Sequence, residues 1–175
     1  MVQISITTHY KDGMKWSDGS SLSQQDLRLW DEVTCYYNPY ACRNIAERTY
    51  LGETGVRYTM LPGYRDVLNP PLPGAYPANR QLSDGRLLKD APHTEWTSLP
   101  EINETPSGLG PYYVDVWQHG EYIRLARNPY YALGQPLTPY LEFIFSDDQS
   151  LQNMLAARSI HVLDFASLFA INATL

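Results

Sequence analysis

The sequence predicts an α/β fold, a mixed sheet with flanking helices. Three observations point there. Apolar residues alternate with polar ones at Val2, Ile4 and Ile6, around Tyr113, Val116, Ile123 and Leu125, and at Leu141, Phe143 and Phe145. A period of two marks a half-buried strand. Two segments of helical spacing follow capping residues, Ser23 in one case and Asp147 or Asp148 in the other. The second of these lies between strand-like runs at residues 141–145 and 160–163. That βαβ order pairs the two strands in parallel, which makes the sheet mixed.

Each element has a local reason. The strand at residues 2–6 ends before an Asp12-Gly13 turn, and residues 14–16 are expected to continue the sheet up to Asp18-Gly19. Ser23 starts a helix with Asp26 in its first turn, where a carboxylate complements the dipole. Leu27, Trp30 and Val33 share one face of it, and it is expected to end near Thr34. Residues 43–50 and 56–60 read as strands around Gly52-Glu53-Thr54-Gly55. The stretch 61–80, with Pro62, Pro70, Pro71, Pro73 and Pro77, reads as ordered coil. Residues 94–99 suit one or two helical turns, and 100–106 a linker. A hairpin follows, turning on a two-residue His119-Gly120 loop. The helix expected at 149–157 buries Leu151, Met154 and Leu155.

Composition excludes some functions. The net charge is −6, and the 13 basic residues are scattered. Nucleic-acid binding needs clustered Lys and Arg, so no nucleic-acid partner is expected. No apolar run reaches the roughly 20 residues of a membrane span. The chain starts directly in strand-like alternation, without a charged and apolar leader. It is therefore either cytoplasmic or shown without its targeting segment. It also stops on an apolar stretch, which suggests a fragment of a longer chain. Cys35 and Cys42 flank Tyr-Tyr-Asn-Pro-Tyr-Ala. They either close a short disulfide loop in an oxidising compartment or are two unrelated buried thiols. Zinc is not expected, because no His or further Cys lies nearby at ligand spacing.

Catalytic constellations are missing from the sequence. There is no phosphate-cradling Gly-Lys-Ser/Thr loop and no Gly-x-Ser-x-Gly elbow. Gly108-Leu109-Gly110 is followed by Pro111, which breaks the helix a dinucleotide site requires. His9, His93, His119 and His161 are far apart, and Asp147-Asp148 reads as a helix cap rather than an acid–base pair. The 14 tyrosines offer either stacking faces for a ligand or ordinary packing.

Three ordered blocks remain. They are Tyr10-Lys11-Asp12-Gly13-Met14-Lys15-Trp16-Ser17-Asp18-Gly19-Ser20-Ser21-Leu22-Ser23-Gln24-Gln25-Asp26, then Ser107-Gly108-Leu109-Gly110-Pro111-Tyr112, then Arg127-Asn128-Pro129-Tyr130-Tyr131. Their physical readings are architectural. The Asp-Gly turns supply positive φ, Gly108 and Gly110 admit the chain through a tight space, and Asn128-Pro129 stops a strand. Together the blocks resemble the family 5 extracellular solute-binding proteins of ABC importers, the oligopeptide-, dipeptide- and nickel-binding proteins. Lys11 stands where that family usually has Arg, Ser21 where it has Pro, and residues 159–164 lack its usual Gly-Glu.

The resemblance implies a type II periplasmic-binding-protein fold with two lobes that close on a solute. Residues 1–105 would be part of a smaller N-terminal subdomain and 106–175 part of the first main lobe, with the second main lobe absent. It implies a peptide or similar small solute, ABC permease subunits as partners, no cofactor and no enzyme activity. It implies an extracytoplasmic, lipid-anchored protein in full length. Tyr36, Tyr37 and Tyr112 are the expected solute contacts. An oligosaccharide-binding relative or a carbohydrate-binding module is the alternative.

Overall fold

The computed structural model describes residues 3–66 and 71–161. Strands β1 (Ser5–His9), β2 (Ile45–Leu51) and β3 (Gly55–Met60) form an antiparallel sheet with β3 in the centre. The central strand alternates as its sequence demands. Val56, Tyr58 and Met60 are buried beneath Ile4, Ile6 and Ile45, while Arg57 points outward. Residues 14–16 do not extend this sheet. They make only an isolated bridge from Lys15 to Ser21, because the Asp18-Gly19 turn folds the chain back on itself.

Helix α1 (Gln24–Tyr37) fills the connection between β1 and β2. Its first turn is closed by Asp26, whose Oδ2 accepts from the Ser23 backbone N–H at 2.8 Å. Leu27, Leu29 and Val33 are buried and Trp30 is half-buried. The helix passes Thr34 and ends three residues later, since nothing before Asn38-Pro39 can break it. Proline drives its predecessor out of the helical region, and Asn38 sits at φ −133°, ψ 76°. Pro39 then opens the single turn α2 (Pro39–Cys42). Cys35 on the last turn of α1 is bonded to Cys42 at the end of α2, with a Cα–Cα separation of 5.6 Å.

The proline-rich coil packs across α1. Ala78, Leu82, Leu88, Ala91, Trp96 and Leu99 join Leu29 and Val33 in the larger core cluster. A Cβ on Gly74 would lie 2.5 Å from the Trp30 ring, so only glycine permits this approach. Two 3₁₀ segments, Leu88–Asp90 and His93–Ser98, follow. The expected linker begins instead as the helical turn α3 (Pro100–Asn103), held because Glu101 is buried and accepts from Ser83 N–H at 2.7 Å.

Strands β4 (Tyr112–Gln118), β5 (Tyr122–Arg127) and β6 (Tyr140–Ile144) form the second antiparallel sheet, with β5 central. Three residues, not two, separate the paired Gln118 and Tyr122, because Glu121 N–H turns back to Gln118 O and Gly120 takes φ +79°. Helix α4 (Asp148–Ala156) is capped by Asp147, whose Oδ1 accepts from Ser150 N–H at 2.9 Å. Leu151 and Met154 are only half-buried and Leu155 is exposed. Every strand pairing among the described residues is antiparallel. The parallel partner expected at 160–163 falls largely outside them: Ile160 and His161 carry no strand, and Val162 and Leu163 are not described.

Candidate functional site

The three sequence blocks, spread over about 120 residues of chain, meet in space. Ser17 N–H donates to Gly108 O at 2.9 Å, and Gly108 N–H donates to Ser17 Oγ at 3.2 Å. Asp18 Oδ2 accepts from Ser107 Oγ at 3.1 Å. From the third block, Asn128 is fully buried. Its backbone N–H reaches Pro111 O at 2.7 Å, its Nδ2 reaches Gly110 O at 2.9 Å, and its Oδ1 receives Tyr130 N–H at 2.9 Å. The Tyr130 ring lies against Gly19, where a Cβ would stand 3.1 Å away, and Lys15 Nζ sits 5.6 Å from its centroid. The blocks thus form one hydrogen-bonded junction between the first sheet's unit and the second sheet. Gly108 and Gly110 are not there for close approach. A Cβ on Gly110 would meet nothing within 4 Å, and one on Gly108 nothing nearer than 3.8 Å.

Asp26 ties the junction to the coil. Its carboxylate accepts from Trp16 Nε1 at 3.1 Å and from Ala78 N–H at 2.8 Å, besides Ser23. Beside the junction lies a half-open cavity of about 290 Å³ between Trp16, the coil at Ala75–Pro77, α3 and residues 106–109. Burial pushes the Asp18 carboxyl up, but hydrogen bonds from Ser20 and Ser107 and the charge of Arg80 outweigh it and hold it below the usual value.

A second polar centre lies under α1. The buried Asp31 accepts from Tyr50 and Tyr58 hydroxyls, both at 2.6 Å, and its Oδ2 stands 3.7 Å from Arg48 Nε, within ion-pair range but beyond a hydrogen bond. Burial first, then the bond to Asp31 and its negative charge, push both phenols well above the ordinary tyrosine value. Arg48 Nη2 also donates to Cys35 Sγ at 3.0 Å.

The expected solute contacts divide into two places. Tyr36 and Tyr37 sit at the end of α1 with rings edge-on, centroids 5.0 Å apart, both about half exposed. Tyr37 hydroxyl donates to His93 O, and the Tyr36 ring is 5.2 Å from the His93 ring. Tyr112 starts β4, and its hydroxyl donates to Thr138 O at 2.9 Å. No described contact joins it to the other two. Sequence reading missed what Tyr36 belongs to, a run of aromatic contacts from Tyr37 through Tyr36, His93, Trp96 and Tyr76 to Trp30. Its members come from the helix, the coil and the 3₁₀ segment, so no spacing rule connects them. Among the described residues no group of three His, Cys, Asp or Glu side chains is placed to hold a metal, and no helix is long and apolar enough to cross a membrane.

The chain belongs to the bacterial extracellular solute-binding proteins, family 5 Middle, whose family pattern matches residues 4–173. Its fold is shared by solved structures of that kind. The oligopeptide-binding protein AppA from Bacillus subtilis, in complex with a nonapeptide, is 20% identical with a TM-score of 0.74, over 89% of this chain and 31% of AppA. Lactococcal OppA, complexed with an endogenous peptide in the closed conformation, is 19% identical with a TM-score of 0.69, over 89% of this chain and 32% of OppA. NikZ from Campylobacter jejuni, in complex with Ni(L-His), is 22% identical with a TM-score of 0.66, over 89% and 31%. The α/β fold with antiparallel sheets and helices is therefore the type II binding-protein fold. The chain spans about a third of the length of these structures. No curated protein sequence is significantly similar to it.

Proposed function

We propose that this chain works as part of the solute-binding component of an ABC importer that takes up peptides or related small solutes. The observation that carries the reading is the family match over residues 4–173, and the three sequence blocks are gathered into one partly buried junction. Solved relatives of the same fold hold a nonapeptide, an endogenous peptide and Ni(L-His). The oligosaccharide alternative has no comparable observation in its favour.

In this reading, residues 1–105 belong to a smaller subdomain and 106–175 to the first main lobe, joined at the motif junction. A second lobe, supplied by the rest of a longer chain, closes over the solute. Binding energy shifts an open–closed equilibrium, and the closed form docks on the permease. The cycle asks for capture and release, not for covalent chemistry. The work is done outside the cytoplasmic membrane, with the full protein held there by a lipid anchor. Tyr36 and Tyr37 offer the solute half-exposed rings, and the hydroxyls of Tyr37 and Tyr112 are committed to His93 O and Thr138 O.

Calorimetric titration of a chain of full family length that carries this segment tests the solute class. Mixed short peptides, nickel–histidine and a malto-oligosaccharide are the three ligands. Heat with peptide or nickel–histidine is expected, and heat with the sugar alone overturns the reading.

A further inference from the structure

The Cys35–Cys42 bond has a neighbour that a purely structural cross-link does not require. Arg48 Nη2 donates to Cys35 Sγ at 3.0 Å, and among the described residues no donor meets Cys42 Sγ. A disulfide sulfur is neutral and a weak acceptor, so it leaves most of the guanidinium charge unanswered. Asp31 answers little more of it. Its Oδ2 stands 3.7 Å from Arg48 Nε, beyond a hydrogen bond, and already accepts from the Tyr50 hydroxyl at 2.6 Å, while its Oδ1 accepts from Tyr58. Arg48 Nε is buried with no hydrogen-bond partner among the described residues, and the Tyr58 ring centroid lies 6.0 Å from the guanidinium carbon. This setting suits an anionic Cys35 sulfur better than a bonded one. The bond is also within reach of solvent. Both cysteines are only half-buried, and Pro39, Tyr40, Ala41 and Arg43 around Cys42 are exposed.

We propose that Cys35–Cys42 is an exchangeable disulfide, a modification site for small thiols and dithiols, in which Arg48 receives the Cys35 sulfur as a thiolate. The incoming thiol gives its proton to water, and its thiolate attacks Cys42 Sγ. A new S–S bond forms there, the Cys35–Cys42 bond breaks, and its electron pair leaves on Cys35 Sγ beside Arg48. The product is a mixed disulfide at Cys42 and a thiolate at Cys35. A second thiolate, or the other arm of a dithiol, then attacks the sulfur that entered. Cys42 is released and takes a proton from water, and the reductant departs as its own disulfide, oxidised by the two electrons the protein has gained. A cation beside the departing sulfur makes it the better leaving group and so selects the other sulfur for attack. Attack at Cys35 would expel Cys42, whose chain neighbour Arg43 has its guanidinium over the Tyr40 ring, 5.4 Å from the centroid. The loop closed by the bond carries Tyr36, Tyr37 and Tyr40, and α2 has no buried residue, so reduction releases both. The exchange itself does not depend on what those tyrosines bind.

The test is reaction of the chain with glutathione at pH 7, quenched in acid at early times, with free thiols alkylated and both cysteines mapped by peptide mass spectrometry. The expected result is glutathione on Cys42 and a free thiol at Cys35, in about tenfold excess over the reverse pairing. Arg48→Met is expected to slow the exchange by about tenfold and to remove the preference. A merely structural Arg48 predicts the opposite, a looser loop that reacts faster. In Cys42→Ser, iodoacetamide alkylation of Cys35 should be half-maximal at a pH well below the ordinary thiol value of about 8.5. Equal labelling of the two cysteines, no reaction with glutathione, exchange as fast or faster in folded R48M, or Cys35 alkylation half-maximal at or above the ordinary value would each overturn the proposal. Should R48M fail to fold, the labelling pattern of the unaltered chain and the Cys42→Ser profile decide it.

Discussion

Asn128 shows what a single polar side chain does here. It is wholly buried and holds two segments of chain with both ends of its amide. Replacing it with alanine strands Gly110 O and Tyr130 N–H, so Asn128→Ala is expected to lower stability by about 2–3 kcal/mol. The urea midpoint should fall with an unchanged slope, and a loss under about 0.5 kcal/mol would contradict the role. Asp31 leads to a pH prediction. The Tyr50 and Tyr58 phenols have folded values above the ordinary 10.0. The folded state therefore keeps protons that the unfolded state releases, and stability that is complete below pH 10 is lost as pH rises beyond it. Urea unfolding between pH 8 and pH 11 should show that decline, and the double variant Tyr50→Phe, Tyr58→Phe should flatten most of it. Tyr10 and Tyr76, also raised by burial, keep a remainder. An equally steep decline in the double variant would sink this assignment. These roles were partly legible in sequence. Asn128-Pro129 and Asp26 stand out as a strand stop and a first-turn carboxylate. That Asp26 also receives Trp16 and Ala78 is a long-range fact with no local signal.

Among the elements, α2 depends most on one bond. It has no buried residue, so the Cys35–Cys42 disulfide is its chief anchor. A cross-link over a sequence separation of 7 removes a modest amount of freedom from the unfolded chain. Cys35→Ser with Cys42→Ser is expected to cost about 2–3 kcal/mol while the core stays folded. Thermal melts of the two proteins, with and without reductant, check this, and identical melts would contradict it. Strand β6 presents the opposite case. All five residues are exposed, Phe143 by 54%, and among described pairings its only neighbour is β5. An apolar edge that is unpaired among the described residues invites association. Phe143→Lys should reduce self-association in sedimentation velocity while changing stability by no more than about 0.5 kcal/mol. The hairpin, α1 and the Asp147 cap could be read from local pattern because their signals are local. The end of α1 was misplaced because the stop lies in Asn38-Pro39, beyond the apolar face. The burial expected of α4 failed because periodicity marks a face without saying that anything covers it.

For the whole molecule, sequence order and spatial order differ in an instructive way. The three blocks looked like separate turns and a strand stop. Folded, they are one junction that joins the β1–β3 unit to the β4–β6 sheet, and this is why they occur together. Tyr36 and Tyr37 touch each other, and no described contact joins them to Tyr112. A solute held only by the Tyr36–Tyr37 pair has one wall. Binding with useful affinity is then expected to need the remaining chain, which the solved relatives have and these 175 residues span only to about a third. The direct measurement is paired calorimetry of a bound peptide, once into this chain and once into a chain of full family length that carries it. The account predicts saturable binding by the longer chain and at least a hundredfold weaker binding, roughly 3 kcal/mol, by the shorter one. Equal affinity in the two would contradict it.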